Sequence, residues 1–449
     1  MENSQPLVKD SLTASTCSKV LVTGAYLILD PQNEGIVLAT DAKFKTQIQR
    51  IPRIEENPYD FRIISPQFKQ ILEYKLREDN DSIQLEAISQ QINSTANKCL
   101  YFLLQILSQK IKYDNLQFQN WPQFKDKFNL ESLKQQPEFD IPEDPFKKTG
   151  MGSSAAIITS FLACTLQFFN VLSINKTTEQ DTDYISRDLS DLHAYSQILN
   201  AFVQEKIGSG FDIACSIYGS QIYKRFKNVE ELNQIVQHLQ VAYQKQLIQK
   251  NDPDFEDMIT SFKSYFSEEF KVKPFKLSRS LDICMVDVAS GSDTKLMVKQ
   301  ILDWAKQNQQ DPNDQFSAPQ FNLLRSCYQQ ISSSITQIGE NLSKSQIQEI
   351  KELCIQARTL IREISALSKV DIEPEKQTQM LDSLIQIENV IFSVVPGAGG
   401  DDAIFIIGFN ENLQEYIESY YCRNFQGDQK ISVLPVKLLR DNPIQFSFD

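Results

Sequence analysis

Apolar and polar residues alternate in patterns that predict strands and helices in both halves of the chain. Short β-branched and Leu-rich runs at 19–30 and 35–42 indicate strands, the first of them bent or broken at Gly24. Apolar positions at helical spacing predict a strong helix over 154–170, and residues 211–226 read as a short helix followed by a strand. We predict further helices at 66–78, 83–111, 184–206, 293–308, 320–340, 345–368 and 411–421. We predict further strands at 281–288, 390–395, 403–409 and 431–437.

The segment 228–280 differs from the rest because it is polar, rich in Gln, Glu and Lys, and contains no Gly. Its spacing is helical, so we interpret it as a helical insertion or connector. It would separate an N-terminal domain, 1–227, from a C-terminal domain, 281–449. Strands and helices mixed in both halves predict an α+β fold with two layers in each domain.

Composition narrows the function classes. The 449 residues are 41% hydrophobic, which is enough for a sizeable core, and the net charge of −13 argues against a broad basic face for nucleic acid. The polar, acid-containing start lacks the features of a signal peptide, and no apolar run has transmembrane length, so we expect a cytosolic protein without a membrane partner.

Eight scattered Cys without a CxxC pair, and only two His, predict buried free thiols rather than a zinc site. Oligomeric state stays open.

Glycine is scarce, with 14 in the chain, and ten of the 14 fall in a few short segments. The richest segment, 147–156, reads KKTGMGSSAA and lies between a Pro-rich loop and the strong helix. Gly150 and Gly152 allow a ligand to approach the backbone, and the helix N-terminus attracts anions. We therefore predict a phosphate site; the alternative is an ordinary loop in which Ser153 or Ser154 caps the helix.

Other phosphate-binding motifs do not fit. A Walker A loop requires Gly-Lys-Ser/Thr after four spacer residues, and none is present. Residues 150–155 match a loose dinucleotide fingerprint, but a Rossmann loop follows a buried strand directly, and here residues 142–148 intervene. Protein-kinase motifs are missing as well.

Two later segments combine glycines with acidic residues. Residues 204–212 read QEKIGSGFD, in which Asp212 could handle a proton or organise a metal-bound phosphate, or simply cap the next helix. Residues 395–402 read VPGAGGDD, and three Gly within four positions favour either close approach to a ligand or a plain turn.

Taken in order, these motifs resemble the GHMP kinases, a superfamily that includes galactokinase, homoserine, mevalonate and phosphomevalonate kinases. Residues 19–30, 149–156 and 396–400 are similar to the first, second and third signatures of that superfamily. Within it, residues 24–30, 206–226 and 286–294 are most similar to phosphomevalonate kinases of the fungal, plant and bacterial type. The resemblance implies an N-terminal α+β domain, a ferredoxin-like C-terminal domain and a site between them.

The resemblance also implies a reaction: transfer of the ATP γ-phosphoryl group to 5-phosphomevalonate, with Mg²⁺. The implied catalytic residues are Lys19 and Asp212. The implied ATP-binding residues are Lys148, Gly150, Met151, Gly152, Ser153, Ser154 and Ala155. The implied acceptor-binding residues are Lys19, Lys206, Ser209, Gly210, Gly397, Ala398, Gly399 and Gly400. The hydroxyl of Ser154, or the carboxylate of Glu205, would bind Mg²⁺.

Two departures from the family pattern leave alternatives open. Cys17-Ser18 stands where the family usually has Pro-Gly before the Lys, and Glu205 stands where it usually has Gly. Neither departure removes an implied catalytic side chain. The alternatives are another GHMP kinase, such as a mevalonate kinase, and a non-catalytic protein of the same fold that binds metabolites.

Overall fold

A computed structural model describes residues 11–51, 60–65, 70–78, 81–88, 94–113, 127–136, 152–174, 186–250, 252–288, 293–338, 343–401, 403–409, 412–424 and 432–447. The strands are β1 (Ser11–Leu21), β2 (Glu34–Ile51), β3 (Phe61–Ser65), β4 (Gln70–Glu78), β5 (Ser82–Ala87), β6 (Lys127–Gln136), β7 (Gln221–Lys224), β8 (Leu247–Gln249), β9 (Lys273–Pro274), β10 (Leu281–Asp287), β11 (Val390–Val394), β12 (Ala403–Phe409), β13 (Ser432–Leu434) and β14 (Ile444–Ser447).

Helices occupy much of the remaining described chain. They are α1 (Ser94–Tyr113), α2 (Ser153–Phe168), α3 (Arg187–Gln204), α4 (Phe211–Tyr218), α5 (Val229–Gln244), α6 (Pro253–Glu268), α7 (Thr294–Asn308), α8 (Pro319–Thr336), α9 (Lys344–Ser368), α10 (Glu375–Ile385) and α11 (Leu413–Asn424). A short 3₁₀ helix, Ala25–Leu29, follows β1. Within these described ranges, no helix has both the length and the apolar character needed to cross a membrane.

The strands form two sheets, as the α+β prediction requires. The larger sheet runs β14-β1-β2-β6-β3-β4-β5-β8, and β7 joins it through β2 and carries β9 on its other edge. The smaller sheet runs β11-β12-β10-β13, and its pairs are antiparallel. Numbered in chain order within this sheet, its strands lie in the order 2-3-1-4, which is the order of a ferredoxin-like unit. Helices α7 to α10 stand at the first helical position of that unit.

The β1–β2 hairpin lies between two hydrophobic cores and contributes to both. Leu21 and Val37 belong to the core of the larger sheet, whereas their neighbours Val20 and Ile36 belong to the core around the smaller sheet. Successive side chains on a strand point to opposite faces, so one pair of strands can serve both cores. The residues at the end of β1 are therefore held at the junction of the two halves.

Three element predictions were wrong. In the segment 66–78, of which the structure describes 70–78, the strand β4 (Gln70–Glu78) replaces the predicted helix, because Leu72 and Tyr74 are buried while Ile71 and Lys75 on the other face are exposed. The helix predicted at 83–111 begins only at Ser94, after β5. In the segment 19–30 the strand ends at Leu21, and its second half is the 3₁₀ helix.

The proposed domain limits at 227 and 280 stay a prediction. In the structure, α5 and α6 bury Leu232, Leu239 and Phe262 in the core of the larger sheet. The last strand, β14, also returns to that sheet and pairs with β1. The cysteines are free, and seven of the eight are buried, as predicted; the exception is the exposed Cys422.

Candidate active site

Three residues from distant parts of the chain meet at the end of β1. Lys19 is 8% exposed, and its Nζ lies 4.9 Å from the centroid of the Phe211 ring at the start of α4. Gly152 is so close that a Cβ built on it would stand 2.7 Å from Lys19 Cε and 3.5 Å from Asp212 Cβ. The fold thus brings together the lysine, the end of the glycine-rich segment 147–156 and the aspartate that the sequence singled out.

Two helix N-termini converge on this point. Helix α2 begins after Gly152 and α4 begins after Gly210, and both glycines have left-handed backbones, with φ of 74° and 82°. No side chain caps either helix. The first-turn N–H groups carry the positive end of the helix dipole, so this arrangement favours an anion.

The alternative interpretation, in which Ser153 or Ser154 caps the helix, is wrong. Ser153 and Ser154 are the first two residues of α2, and Gly152 occupies the N-cap position. A serine caps through its side chain only from the position that precedes the helix, where the backbone is usually extended. Ser153 and Ser154 are partly buried, and Ala155, which follows them, is buried. Neither serine side chain caps the helix.

Two hydrogen bonds hold β1 against α2 and α4, and the pairing of β1 with β2 is irregular beside Lys19. Thr16 Oγ1 donates to the Ala156 carbonyl at 2.7 Å, and Ser216 Oγ donates to the Cys17 carbonyl at 3.0 Å. The pairing of β1 with β2 shifts register between Cys17 and Ser18. Bulges redirect the side chains beside them. Cys17-Ser18, the departure from the family pattern, is therefore a local irregularity of the strand directly before Lys19.

The loop between α3 and α4 is held by residues that sequence reasoning had not assigned. Tyr223 Oη donates to the Ser209 carbonyl at 2.6 Å, and Arg225 Nη2 donates to the Gly208 carbonyl at 2.8 Å. Arg225 Nη1 also donates to the Leu29 carbonyl. Both residues belong to the segment 206–226 that carries part of the resemblance, and in the structure their side chains support this loop.

A buried histidine lies behind Gly210. The Gln197 side-chain nitrogen is 3.0 Å from the Gly210 carbonyl and 2.9 Å from His193 Nε2. His193 is fully buried among the rings of Phe266 and Phe270. Burial lowers its pKa to about 3, so the imidazole is neutral at physiological pH. Its Nε2 then accepts the hydrogen bond that orients Gln197 toward Gly210.

Glu205 and Lys206 lie at the start of this loop. Glu205 ends α3 in a left-handed conformation, with φ of 55°, and its exposed carboxylate accepts a 2.7 Å hydrogen bond from the buried Lys98. That hydrogen bond lowers the pKa of the Glu205 carboxyl. Lys206 is exposed. The metal-binding role of Glu205 stays a prediction, and its observed partner is Lys98, a residue of α1 for which the sequence suggested no role.

The third glycine-rich segment forms a turn after β11. Gly397, Gly399 and Gly400 all have positive φ, between 70° and 87°. A Cβ on Gly399 would stand 2.2 Å from the Ile372 carbonyl oxygen, whereas none of the atoms described lies within 4 Å of a Cβ on Gly397. The Ala398 carbonyl accepts a 2.6 Å hydrogen bond from Tyr26 Oη. This turn therefore contacts the segment that follows Lys19.

Part of the predicted ATP loop, Lys148, Gly150 and Met151, lies outside the described residues. Gly152, Ser153, Ser154 and Ala155 are described and lie at the helix N-terminus. No group of three or more His, Cys, Asp or Glu side chains able to hold a metal ion occurs among the described residues.

No protein-family profile matches the chain, but it is similar to several known proteins and solved structures. A phosphomevalonate kinase of Aspergillus fumigatus is 28% identical over an alignment of 447 positions, which covers 90% of this chain and 88% of that protein. A peroxisomal phosphomevalonate kinase of Arabidopsis thaliana is 26% identical and covers 92% and 93%, respectively. The structure of Streptococcus pneumoniae phosphomevalonate kinase in complex with phosphomevalonate and AMPPNP covers 95% of this chain and 99% of its own, with a TM-score of 0.60 at 16% identity.

The chain has the fold of the GHMP kinases, a superfamily that includes the phosphomevalonate kinases. Within that superfamily, it is similar to phosphomevalonate kinases along most of its length.

Proposed function

We propose that the protein is a phosphomevalonate kinase, which transfers the γ-phosphoryl group of ATP to 5-phosphomevalonate and forms 5-diphosphomevalonate and ADP. The observation that carries the proposal is the meeting of Lys19, Gly152 and Asp212 where two helix N-termini converge. Phosphoryl transfer depends mainly on positioning and on stabilising negative charge, and this arrangement supplies both.

On the ATP side, residues 148–155 bind the phosphates. Gly152 takes a conformation that L side chains rarely adopt, and it leaves no room for a Cβ beside Lys19. The start of α2 can therefore come close to a phosphate without a side chain in the way. The first-turn N–H groups and the helix dipole stabilise the negative charge.

Lys19 and Asp212 act on the reacting groups. The Lys19 ammonium, held on the buried end of β1, stabilises the charge that spreads over the transferred phosphoryl group and the acceptor. Asp212, in the first turn of α4, orients Lys19 and the acceptor. The acceptor is itself a phosphate oxygen, so removal of a proton is less important than it would be for an alcohol. Asp212 therefore serves mainly to organise the site.

The acceptor binds between the loop after α3 and the turn after β11. Lys206 supplies a cation for the acceptor's phosphate, and Ser209 and Gly210 supply polar contacts at the start of α4. Gly397, Ala398, Gly399 and Gly400 complete the cleft from the other half of the chain. The hydrogen bond from Tyr26 to Ala398 supports this assignment, since it joins the turn to the segment next to Lys19.

The oxygen donors of the site fit Mg²⁺. Mg²⁺ prefers oxygen ligands and is commonly bound by one or two carboxylates together with substrate phosphates. The Asp212 side chain lies beside Gly152, because a Cβ built on that glycine would stand 3.5 Å from Asp212 Cβ. Ser153 and Ser154 directly follow Gly152 as the first residues of α2. Ser154 would hold the ion by its hydroxyl, with Glu205 as a second candidate. When bound, the ion neutralises phosphate charge.

The first test measures ADP release by the purified protein with Mg-ATP and one acceptor at a time. The acceptors are 5-phosphomevalonate, mevalonate, galactose and homoserine. Turnover with 5-phosphomevalonate alone is expected. Turnover only with another acceptor would keep the GHMP kinase mechanism and overturn the substrate. ATP binding without turnover on any acceptor would favour a metabolite-binding protein.

The second test addresses the two catalytic residues. Lys19→Met and Asp212→Asn should each lower kcat by roughly a hundredfold or more, because each removes charge or orientation needed in the transition state. Lys306→Met and Asp303→Asn, two exposed positions on α7, are matched controls and should keep full turnover. Near-native turnover of a folded Lys19 or Asp212 variant would show that the role assigned to that residue is wrong.

A cytosolic location and the lack of a membrane partner stay predictions, and the lack of a nucleic-acid partner is proposed from the net charge of −13.

A further inference from the structure

A buried tyrosine connects two glycine-containing segments that lie far apart in the sequence. Tyr26, in the 3₁₀ helix after β1, is 2% exposed, and its hydroxyl donates to the Ala398 carbonyl at 2.6 Å. The two residues are separated by 372 positions. Burial raises the pKa of the Tyr26 phenol well above its ordinary value, so the hydroxyl keeps its proton and stays a donor.

The position of Tyr26 is determined by the backbone directly before it. Gly24 and Ala25 both have positive φ, 106° and 29°, and the second value is strained for a residue with a Cβ. Packing holds this conformation: a Cβ on Gly24 would stand 3.1 Å from Gly35 Cα, and Ile36 N donates to Thr23 Oγ1 at 2.9 Å. Such strain persists only where the surroundings over-determine the backbone. Tyr26 is thus held in a defined position relative to the end of β1.

The turn that receives this hydrogen bond is held from its opposite side. Gly400 N donates to the Ile372 carbonyl at 2.7 Å, and Gly399 packs directly against the same oxygen. Glu373, which follows Ile372 in the chain, is 5% exposed and accepts two hydrogen bonds from the guanidinium of Arg358. A buried, doubly hydrogen-bonded ion pair is a rigid support. Between this support and Tyr26, the carbonyl of Ala398 has little freedom.

We propose that Tyr26 is a positioning residue that sets the distance between the end of β1, which carries Lys19, and the turn formed by Pro396–Gly400. The inference rests on the proposed function, in which that turn binds the acceptor while residues 148–155 bind ATP. Loss of the hydroxyl frees the turn and weakens acceptor binding, and it leaves the ATP side unchanged because Gly152 and α2 are held by other contacts.

The test compares Tyr26→Phe with the wild type and with a matched control. Tyr101→Phe is the control, because Tyr101 is also buried and its hydroxyl donates to a backbone carbonyl, that of Leu247, at 3.1 Å. It lies on α1, outside the proposed binding residues. KM for 5-phosphomevalonate and for ATP is measured separately for each protein. Hydrogen exchange is followed in a peptide that covers residues 394–401, and this second measurement needs no turnover.

Tyr26→Phe is expected to raise the KM for 5-phosphomevalonate roughly fivefold, the size expected for one buried hydrogen bond, with the KM for ATP within about twofold of wild type. Exchange at 394–401 becomes faster in Tyr26→Phe and stays at the wild-type rate in Tyr101→Phe. Unchanged acceptor KM and unchanged exchange would overturn the proposal, as would equal effects of the two variants. If the wild type acts on none of the acceptors but exchange rises only in Tyr26→Phe, the proposed function fails and the positioning role stands.

Discussion

Removing the buried imidazole of His193 should abolish a specific loss of stability in mild acid. Folded His193 is neutral because burial lowers its pKa to about 3, whereas an unfolded histidine titrates near pH 6.5. The unfolded chain therefore binds a proton, as the pH falls below about 6.5, that the folded chain does not bind. His193 thus favours the folded state fully above that pH, and this contribution is lost progressively as the pH falls toward about 3.

The size of the effect follows from the difference between the two pKa values. Each pH unit below the unfolded pKa lowers the free energy of unfolding by about 1.36 kcal/mol for one proton. Between about pH 7.5 and about pH 5.5, His193 alone should therefore remove about 1.4 kcal/mol. In the wild type this loss adds to that from carboxyl groups, and those groups titrate alike in wild type and variant.

Urea unfolding of the wild type and His193→Gln at the two pH values measures the effect. Gln at position 193 keeps an acceptor for Gln197 but has no proton to gain. The wild type should lose about 1.4 kcal/mol more than His193→Gln. An equal pH dependence of the wild type and His193→Gln would refute the reasoning. Following the His193 ring directly by NMR gives an independent check, since it should not titrate above about pH 4.

Two further substitutions test the turn after β11 and its support. Gly399→Ala should destabilise the protein by at least about 2 kcal/mol more than Gly397→Ala, because both require a left-handed alanine but only the first forces a Cβ against the Ile372 carbonyl; thermal unfolding of the pair decides this, and equal losses would contradict it. Glu373→Gln should cost about 3 kcal/mol, because the buried Arg358 guanidinium loses its buried carboxylate and keeps only the exposed carboxylate of Asp382; urea unfolding measures the loss, and a change below about 1 kcal/mol would show that the buried ion pair contributes little.

Helices with a long, regular apolar face could be predicted from the sequence. The segment 154–170 forms α2, and 345–368 forms α9, because periodicity alone identifies a buried face. β4 could not be predicted in this way, since a run such as QILEYKLRE fits both a helical and an alternating pattern. Its pairing with β3 and β5 decided between them. Strand β14 was missed because four residues carry too little pattern, and only the β1 edge makes them a strand.

The candidate residues themselves could be found in the sequence, since glycine clusters and the charged residues beside them stand out in a chain so poor in glycine. What surrounds them could not. Tyr26 supports the site through a hydrogen bond across 372 positions, and Arg225 joins Gly208 to the distant Leu29. Gln197 on α3, held by His193, reaches Gly210 at the start of α4. Local sequence determines backbone preference and amphipathic periodicity, because these depend on near neighbours. Which loop meets which helix N-terminus depends on packing between distant segments, and the tertiary structure alone decides it.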